Sequence, residues 1–235
     1  MKRFVLLLKV LFAVSLPLLL LATSLRLAIN APALYQYGFH KYGVSAESGI
    51  SDRDLDRIAT GLVDYFNSDE DLFRLVITRY GQQVPLFHEN ESVHFRDVKD
   101  LVQLDYRVQW ITLAYVVLFV VGMLLWKGQN GWTEVIRATR WGSGVTLAIM
   151  ALLGIAVALG FEQLFLAFHL AFFSNDLWMA FSGDVMNVLF PEMFFRDALV
   201  IVAAAIVIGA GLLLALSWNG LRRRRPSAKT RSSNS

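Results

Sequence analysis

Residues 91–100 read Glu-Ser-Val-His-Phe-Arg-Asp-Val-Lys-Asp, a polar stretch that runs without proline or glycine into an apolar segment beginning near Tyr106. This continuity predicts one helix that passes from a charged surface into a membrane. On such a helix His94 and Asp97 lie on the same face, because residues three apart are neighbours. A histidine oriented by a carboxylate at a bilayer edge is suited to acid–base chemistry on a lipid.

The composition is typical of an integral membrane protein. Of the 235 residues, 56% are hydrophobic, against about 45–50% in soluble domains. The 17 Phe, 7 Tyr and 6 Trp suit a chain with rings at a membrane interface. There is no cysteine, which excludes disulfides, thiolate catalysis and cysteine metal sites. The small net charge of +3 disfavours nucleic-acid binding.

Four apolar runs have spanning length, which predicts a mainly α polytopic membrane protein. The first, at about 20 residues, exceeds the cleaved core of a signal peptide (about 7–15) and favours a retained anchor. Lys9 inside it is expected to snorkel to the interface. The predicted order is transmembrane helix 1 (1–25), cap (26–106), transmembrane helix 2 (107–126), loop (127–142), transmembrane helix 3 (143–166), an interfacial or cap segment (167–197), transmembrane helix 4 (198–217) and a basic tail (218–235).

The charge pattern predicts the side of the membrane that each segment faces. Residues 26–106 contain 8 basic and 13 acidic side chains, whereas the 127–142 loop has three basic residues against Glu134 alone, and the tail has no acid. Because basic segments stay in the cytoplasm, both termini and the loop are predicted to be cytoplasmic. The segments 26–106 and 167–197 then lie outside and form one cap.

The cap sequence predicts a helix and a hairpin. Ser51 is a suitable N-cap, and apolar residues follow at helical spacing until Asn67: Leu55, Ile58, Ala59, Leu62 and Phe66. Residues 75–80 are rich in β-formers, Gly81-Gln82 is a turn signal, and 84–87 predicts a returning strand. Pro85 restricts that second strand to an edge.

Histidines occur only in the two outer segments, at His40, His88, His94 and His169. His169 lies among the rings of 165–173, where an imidazole is costly without a partner. It is either an interfacial histidine bonded to backbone or a second catalytic histidine facing His94. For His94 the residues alone leave open a cap interaction or a catalytic role. His40 and His88 are expected to make surface or cap hydrogen bonds.

Other chemistry is less well supported by the sequence. A zinc site could use His88, Glu89, Glu91, His94 and His169, but the His-x5-His spacing matches no helical zinc signature. A serine hydrolase lacks its G-x-S-x-G motif, since Ser143 in Gly142-Ser143-Gly144 falls at the cytoplasmic edge. Glu162 is either an interfacial carboxylate or a polar contact inside the bundle.

The rings in 165–195 outnumber what an interface belt needs. Simple membrane anchoring explains about half of them, and an apolar pocket for acyl chains would explain the rest. The residues assigned to such a substrate-binding pocket are Phe172, Phe173, Trp178, Phe194 and Phe195.

Two motifs together indicate a family. They are His94-x-x-Asp97-Val98-Lys99 before the second span, and His169-Leu-Ala-Phe172-Phe173 followed by Asp176-Leu177-Trp178 and by Leu189-Phe190-Pro191-Glu192-Met193-Phe194-Phe195-x-Asp197. This combination, with one span, a cap and three further spans, resembles the bacterial integral membrane family that includes lipoprotein intramolecular transacylase. The likeness runs from the first span through the fourth.

The resemblance implies a four-span enzyme of the bacterial cytoplasmic membrane that acts on diacylglyceryl-modified lipoproteins and needs no metal or cofactor. An acyl chain moves from the sn-2 glyceryl ester to the α-amine of the lipidated N-terminal cysteine. The family's two catalytic histidines fall on His94 and His169. We assign His94 as the base, oriented by Asp97, and His169 as the acid, although sequence does not fix this order. Arg96, Lys99 or backbone N–H groups are candidates for oxyanion stabilisation.

Two other functions compete with this one. One is a non-catalytic membrane protein whose cap binds lipid or lipoprotein, in which case changes at both histidines leave function intact. The other is a metal-dependent membrane hydrolase, which would lose activity on chelation.

Overall fold

The computed structural model describes residues 2–79, 82–179 and 184–223, and these residues form eight helices and two strands. Four of the helices are long and apolar enough to cross a membrane, which confirms the mainly α, four-span class. The elements are α1 (Lys2–Ile29), α2 (Pro32–Lys41), α3 (Val44–Ser48), α4 (Asp52–Phe66), β1 (Val76–Arg79), β2 (Gln82–Pro85), α5 (Glu89–Lys127), α6 (Gln129–Phe172), α7 (Val185–Leu189) and α8 (Glu192–Arg223).

The stretch 91–100 and the second span belong to one helix, as its sequence predicts. Helix α5 has 39 residues, or about 58 Å at 1.5 Å per residue, twice the hydrocarbon thickness of about 30 Å. Its first part, 89–105, carries seven charged side chains, which excludes that part from the hydrocarbon. His94 therefore lies outside the membrane-spanning part of α5.

Helix boundaries differ from the prediction where charge was used to place them. Most of 127–142, expected to be a loop, is helical from Gln129, and only Gly128, at φ 52°, separates α5 from α6. The 167–197 segment contains the end of α6, all of α7 and the start of α8. The tail continues α8 as far as Arg223, and the rest lies outside the described residues. Charge marks where a chain leaves the bilayer, whereas a helix ends only where its backbone hydrogen bonds stop.

A kink interrupts α6 at Gly160, whose φ of 174° and ψ of 94° are not helical. A φ this close to 180° is extended backbone, which breaks the helical path at this one residue and changes the direction of the helix axis. The twelve residues after the kink, 161–172, include His169. The kink thus sets the direction of the segment that carries this histidine.

The chain divides into two compact units. One contains the described parts of 1–21, 109–151 and 205–235, where α1 packs through Phe12 on Phe119, with ring centroids 4.6 Å apart. The Tyr115 hydroxyl donates to the Leu8 carbonyl over 2.7 Å. The ammonium group of Lys9 forms an ion pair with Glu134, and the expectation that Lys9 snorkels to the interface stays a prediction.

The other unit, 22–108 and 152–204, holds the predicted cap helix and hairpin. Helix α4 begins after Ser51, whose Oγ accepts from the Asp54 amide over 3.2 Å, and its predicted apolar face is buried. Strands β1 and β2 pair antiparallel from Val76 opposite Pro85 to Arg79 opposite Gln82, which confirms the hairpin. The predicted turn residue Gly81 lies outside the described residues.

One aromatic core joins the two segments that sequence assigned to the cap. Tyr35 and Phe39 of α2 pack against Phe190 and, for Tyr35, also against Phe194, with centroids 5.7–6.4 Å apart. These rings share a buried cluster with α4, the hairpin, the start of α5 and α7. The 184–195 segment is therefore held by the 22–108 segment through ring packing.

Candidate active site

His94 and His169 lie side by side although 75 residues separate them in sequence. Their ring centroids are 6.4 Å apart and the ring planes differ by 28°. His94 occupies the second turn of α5, and His169 the last turn of α6, beyond the Gly160 kink. Each side chain is only 7% exposed. The structure thus makes a buried imidazole pair from the two histidines that the sequence singled out.

Aromatic rings surround this pair. Phe173 lies 5.0 Å from His94 and 5.4 Å from His169, between ring centroids. Trp178 lies 4.8 Å and Phe165 4.3 Å from His169. Such apolar walls lower the local polarity and strengthen the hydrogen bonds made inside them.

The His169 ring is oriented by its own helix. Its Nδ1 lies 2.8 Å from the Phe165 carbonyl, four residues earlier. Because a carbonyl only accepts, Nδ1 carries the proton and Nε2 is the nitrogen that exchanges protons. The expectation that His169 is bonded to backbone and the expectation that it faces His94 are therefore compatible.

Asp97 does not hydrogen-bond to His94 in the structure, although both lie on one face of α5. Its Oδ2 accepts from the Asn175 side-chain amide over 2.7 Å, and His94 Nδ1 has no hydrogen-bond partner among the described residues. Sharing a helical face allows contact but does not ensure it, since a nearby amide donor competes for the carboxylate. Asp97 acts on His94 through its charge alone.

Burial dominates the acid–base behaviour of His94. The pKa of His94 is lowered from its ordinary 6.5 to about 4, chiefly by burial and also by the nearby His169, while the Asp97 charge raises it. The imidazolium form is disfavoured because the ring has lost water and gained no acceptor. At neutral pH His94 is therefore a neutral imidazole with a lone pair.

Glu91 is a buried carboxylate that sequence reasoning offered only as a metal ligand. It is 1% exposed, and its two oxygens accept from the backbone amides of His88 and Met186, each over 2.7 Å. The first bond caps the start of α5, and the second ties α7 to it. Burial raises the pKa of Glu91. The signal in the sequence was its position in the first turn of the helix that bears His94.

The described residues contain no group of three His, Cys, Asp or Glu side chains placed to hold a metal ion. His40, His88 and Glu162 are exposed, which places Glu162 away from any contact inside the bundle. Ser143 is fully buried within α6.

The two cationic candidates for oxyanion stabilisation are engaged elsewhere. The Lys99 ammonium donates to the Glu70 carbonyl over 2.6 Å and lies 4.4 Å from the centre of the Tyr65 ring. Arg96 lies 3.7 Å from the Asp71 carboxylate. Neither contact is with the histidine pair.

The five rings assigned to an acyl pocket fall into separate places. Phe173 and Trp178 contact the histidines directly. Phe195 is one ring removed, 5.4 Å from Phe165, and Phe172 is 55% exposed. Phe194 is 4% exposed and belongs to the core. Successive helical residues point about 100° apart, so Phe194 and Phe195 have different environments.

These features define a class: a multi-pass membrane protein of four long helices, with a buried histidine pair beside the charged end of α5. The family described as lipoprotein intramolecular transacylase Lit matches residues 10–195. The chain belongs to this family.

Solved structures show the same fold. The membrane integral lipoprotein intramolecular transacylase Lit from Bacillus cereus aligns with a TM-score of 0.78 at 19% identity, over 96% of this chain and 99% of that one. A structure of that protein with one histidine changed to alanine aligns with a TM-score of 0.74 at 21% identity, over 95% and 96%. A comparison with curated proteins found no match.

Proposed function

We propose that this protein moves an acyl chain from the sn-2 ester of a diacylglyceryl lipoprotein to the α-amine of its N-terminal cysteine. The observation that carries the proposal is the buried His94–His169 pair, with centroids 6.4 Å apart and apolar rings on several sides. Membership of a family named for this reaction supports it.

The reaction depends more on holding the amine and the ester together than on activating either group. Amine and ester belong to one substrate molecule, so holding the two groups in contact makes the step effectively unimolecular. The α-amine has an ordinary pKa of about 7.7–8.0, and it reaches its nucleophilic form with the help of one base. A site walled by Phe173 and Trp178 also excludes the water that would otherwise hydrolyse the ester.

The reaction moves one proton from the attacking amine to the departing sn-2 oxygen, and the two imidazoles carry it. His94, kept neutral by burial, accepts a proton from the attacking amine. The C–N bond forms and the sn-2 C–O bond breaks. The proton passes from His94 to the free Nε2 of His169, and Nε2 gives it to the departing oxygen, so both imidazoles end neutral, as they began. The Phe165 carbonyl, which accepts from Nδ1, keeps the His169 ring in one orientation throughout.

The charge pattern supports a placement for the site. The acidic segment 26–106 lies outside the cytoplasmic membrane, and the basic loop and both termini lie inside. In this arrangement the histidine pair meets lipoprotein substrates on the outer side, together with the surrounding membrane lipids.

The test is mass spectrometry of lipoprotein N-terminal peptides from a bacterium whose own N-acylating enzyme is depleted. Expression of this protein is expected to give a lyso form with one acyl chain on the amine and one on the glyceryl group. His94→Ala and His169→Ala each abolish that product while the protein still accumulates in the membrane. Removing a proton-transfer group costs typically 10²–10⁴-fold in rate.

Matched controls are available in the same segment. His40→Ala and His88→Ala change exposed histidines outside the pair and leave the product at the unaltered level. Unchanged diacyl peptides with the protein present would reject the transacylase activity and favour a protein that only binds lipid or lipoprotein. Full activity in either variant of the pair would reject the two-histidine mechanism.

A further inference from the structure

Both histidines are too well covered for a lipid to reach them in the arrangement seen. Each imidazole is 7% exposed, whereas an ester and an amine must come within hydrogen-bond distance of the rings to react. Part of the cover comes from the segment that follows α6, residues 173–179, which we term the strap. Its Phe173 and Trp178 pack on the histidines.

The strap is folded by local hydrogen bonds. The Asn175 Oδ1 accepts from the Leu177 amide over 3.0 Å, and the Met179 amide donates to the Asp176 carbonyl over 3.0 Å. An asparagine that bonds the backbone two residues on forms a self-contained turn. Trp178 lies within this turn and therefore moves together with Asn175, whereas the Phe173 amide donates to the His169 carbonyl over 2.9 Å and stays with the end of α6.

The same Asn175 joins the strap to α5. Its Nδ2 donates to Asp97 Oδ2 over 2.7 Å, across 78 residues of sequence. A bond to an ionised carboxylate is shorter and about twice as strong as one between neutral groups. Asp97 lies one turn from His94 on α5, so this bond connects the strap to the element that carries one histidine.

We infer that Asp97 and Asn175 are positioning residues, whose hydrogen bond latches the strap, and with it Trp178, over the histidine pair at His169. Opening the latch uncovers the His169 imidazole for the diacylglyceryl end of a substrate, and closing it packs Trp178 beside the bound ester. The link to acyl transfer rests on the proposed function, whereas the latch itself is tested without any turnover.

Asn175→Asp is the sharpest perturbation. It keeps Oδ1 for the Leu177 amide and the shape of the side chain, but it replaces the donor facing Asp97 with a second carboxylate. The double variant D97N/N175D puts a donor and a carboxylate opposite each other again with reversed polarity. Asp176→Asn, an exposed carboxylate of the same strap, is the matched control.

The readout is carbethoxylation of each histidine by diethyl pyrocarbonate at pH 7, measured by peptide mass spectrometry on the full-length protein in detergent. The exposed His40 serves as the internal reference. Asn175→Asp is expected to raise modification of His169 relative to His40 about tenfold, the scale of one charge-assisted hydrogen bond. D97N/N175D returns this ratio to within about twofold of the unaltered protein, and Asp176→Asn leaves it unchanged.

An unaltered ratio in Asn175→Asp, or no recovery in the double variant, would overturn the latch. If Asn175→Asp does not accumulate, Asn175→Ser provides the same test, because a serine hydroxyl serves the turn but is too short to reach Asp97. The modification assay is independent of acyl transfer, so it stands if the proposed activity fails. Conversely, wild-type accessibility in Asn175→Asp beside inactive histidine variants would reject only the latch.

Discussion

Gly38 in α2 lies under the Phe194 ring, and replacing it is expected to destabilise the protein. A Cβ at Gly38 would overlap Phe194 Cδ2 and would lie 2.7 Å from Cε2. Phe194 has no room to retreat, because it is 4% exposed and packs on Tyr35 and Phe190. Overpacking of this kind costs about 1–3 kcal/mol.

The helix propensity of alanine offsets part of that cost. Ala is favoured over Gly in a helix interior by about 1 kcal/mol, which leaves a net loss of about 0–2 kcal/mol for Gly38→Ala. Gly61 in α4 is the matched control, because a Cβ there meets the Phe73 ring at 3.5 Å, an ordinary contact. Gly61→Ala is therefore expected to stabilise the protein by about 0.5–1 kcal/mol.

Thermal unfolding in detergent, followed by intrinsic fluorescence, measures both changes. At about 2–4 °C per kcal/mol for a chain of this size, the Tm falls by up to about 8 °C in Gly38→Ala and rises by about 1–4 °C in Gly61→Ala. Adding Phe194→Leu to Gly38→Ala is expected to recover part of the loss, since the smaller side chain removes the contact. A Tm in Gly38→Ala equal to that in Gly61→Ala would refute the steric reasoning.

Two further predictions concern the cap helix and the histidine pair. Ser51→Ala removes the oxygen that accepts from the Asp54 amide and is expected to cost about 1 kcal/mol, measured by denaturant unfolding; Ser51→Asn, another good cap, is the control. Because burial lowers the pKa of His94 from 6.5 to about 4, the unfolded state binds its proton first as pH falls. The stability that depends on His94 staying unprotonated in the folded state is therefore fully present above about pH 6.5 and is lost as the pH falls towards 4. His94→Asn is expected to flatten this decline in a series of melts, and an unchanged slope would contradict it.

Local sequence was enough to predict the elements that depend on local interactions. The Ser51 cap, the apolar face of α4 and the pairing around Val76 and Pro85 all follow from residues close together in the chain. Spanning length and hydropathy likewise predicted the four long helices. The continuity of 91–106 predicted that His94 lies on the helix that enters the membrane.

Boundaries set by charge were less accurate. The 127–142 segment is largely helical, because polar residues do not interrupt a helix whose backbone bonds are intact. Lys9 pairs with Glu134, and a partner 125 positions away cannot be identified from the apolar run itself. Such contacts depend on which helices become neighbours.

By itself, the sequence determined the class of protein, its four spans and the two histidines that stand out in their surroundings. Only the tertiary structure decided that Asp97 bonds to Asn175 instead of His94, and that Glu91 ties α7 to α5. It also decided that Phe173 and Trp178 cover the pair while the neighbouring aromatic Phe194 enters the core. The physical reason is that a side chain's partners are set by the packing of distant elements, which spacing along one helix constrains but does not specify.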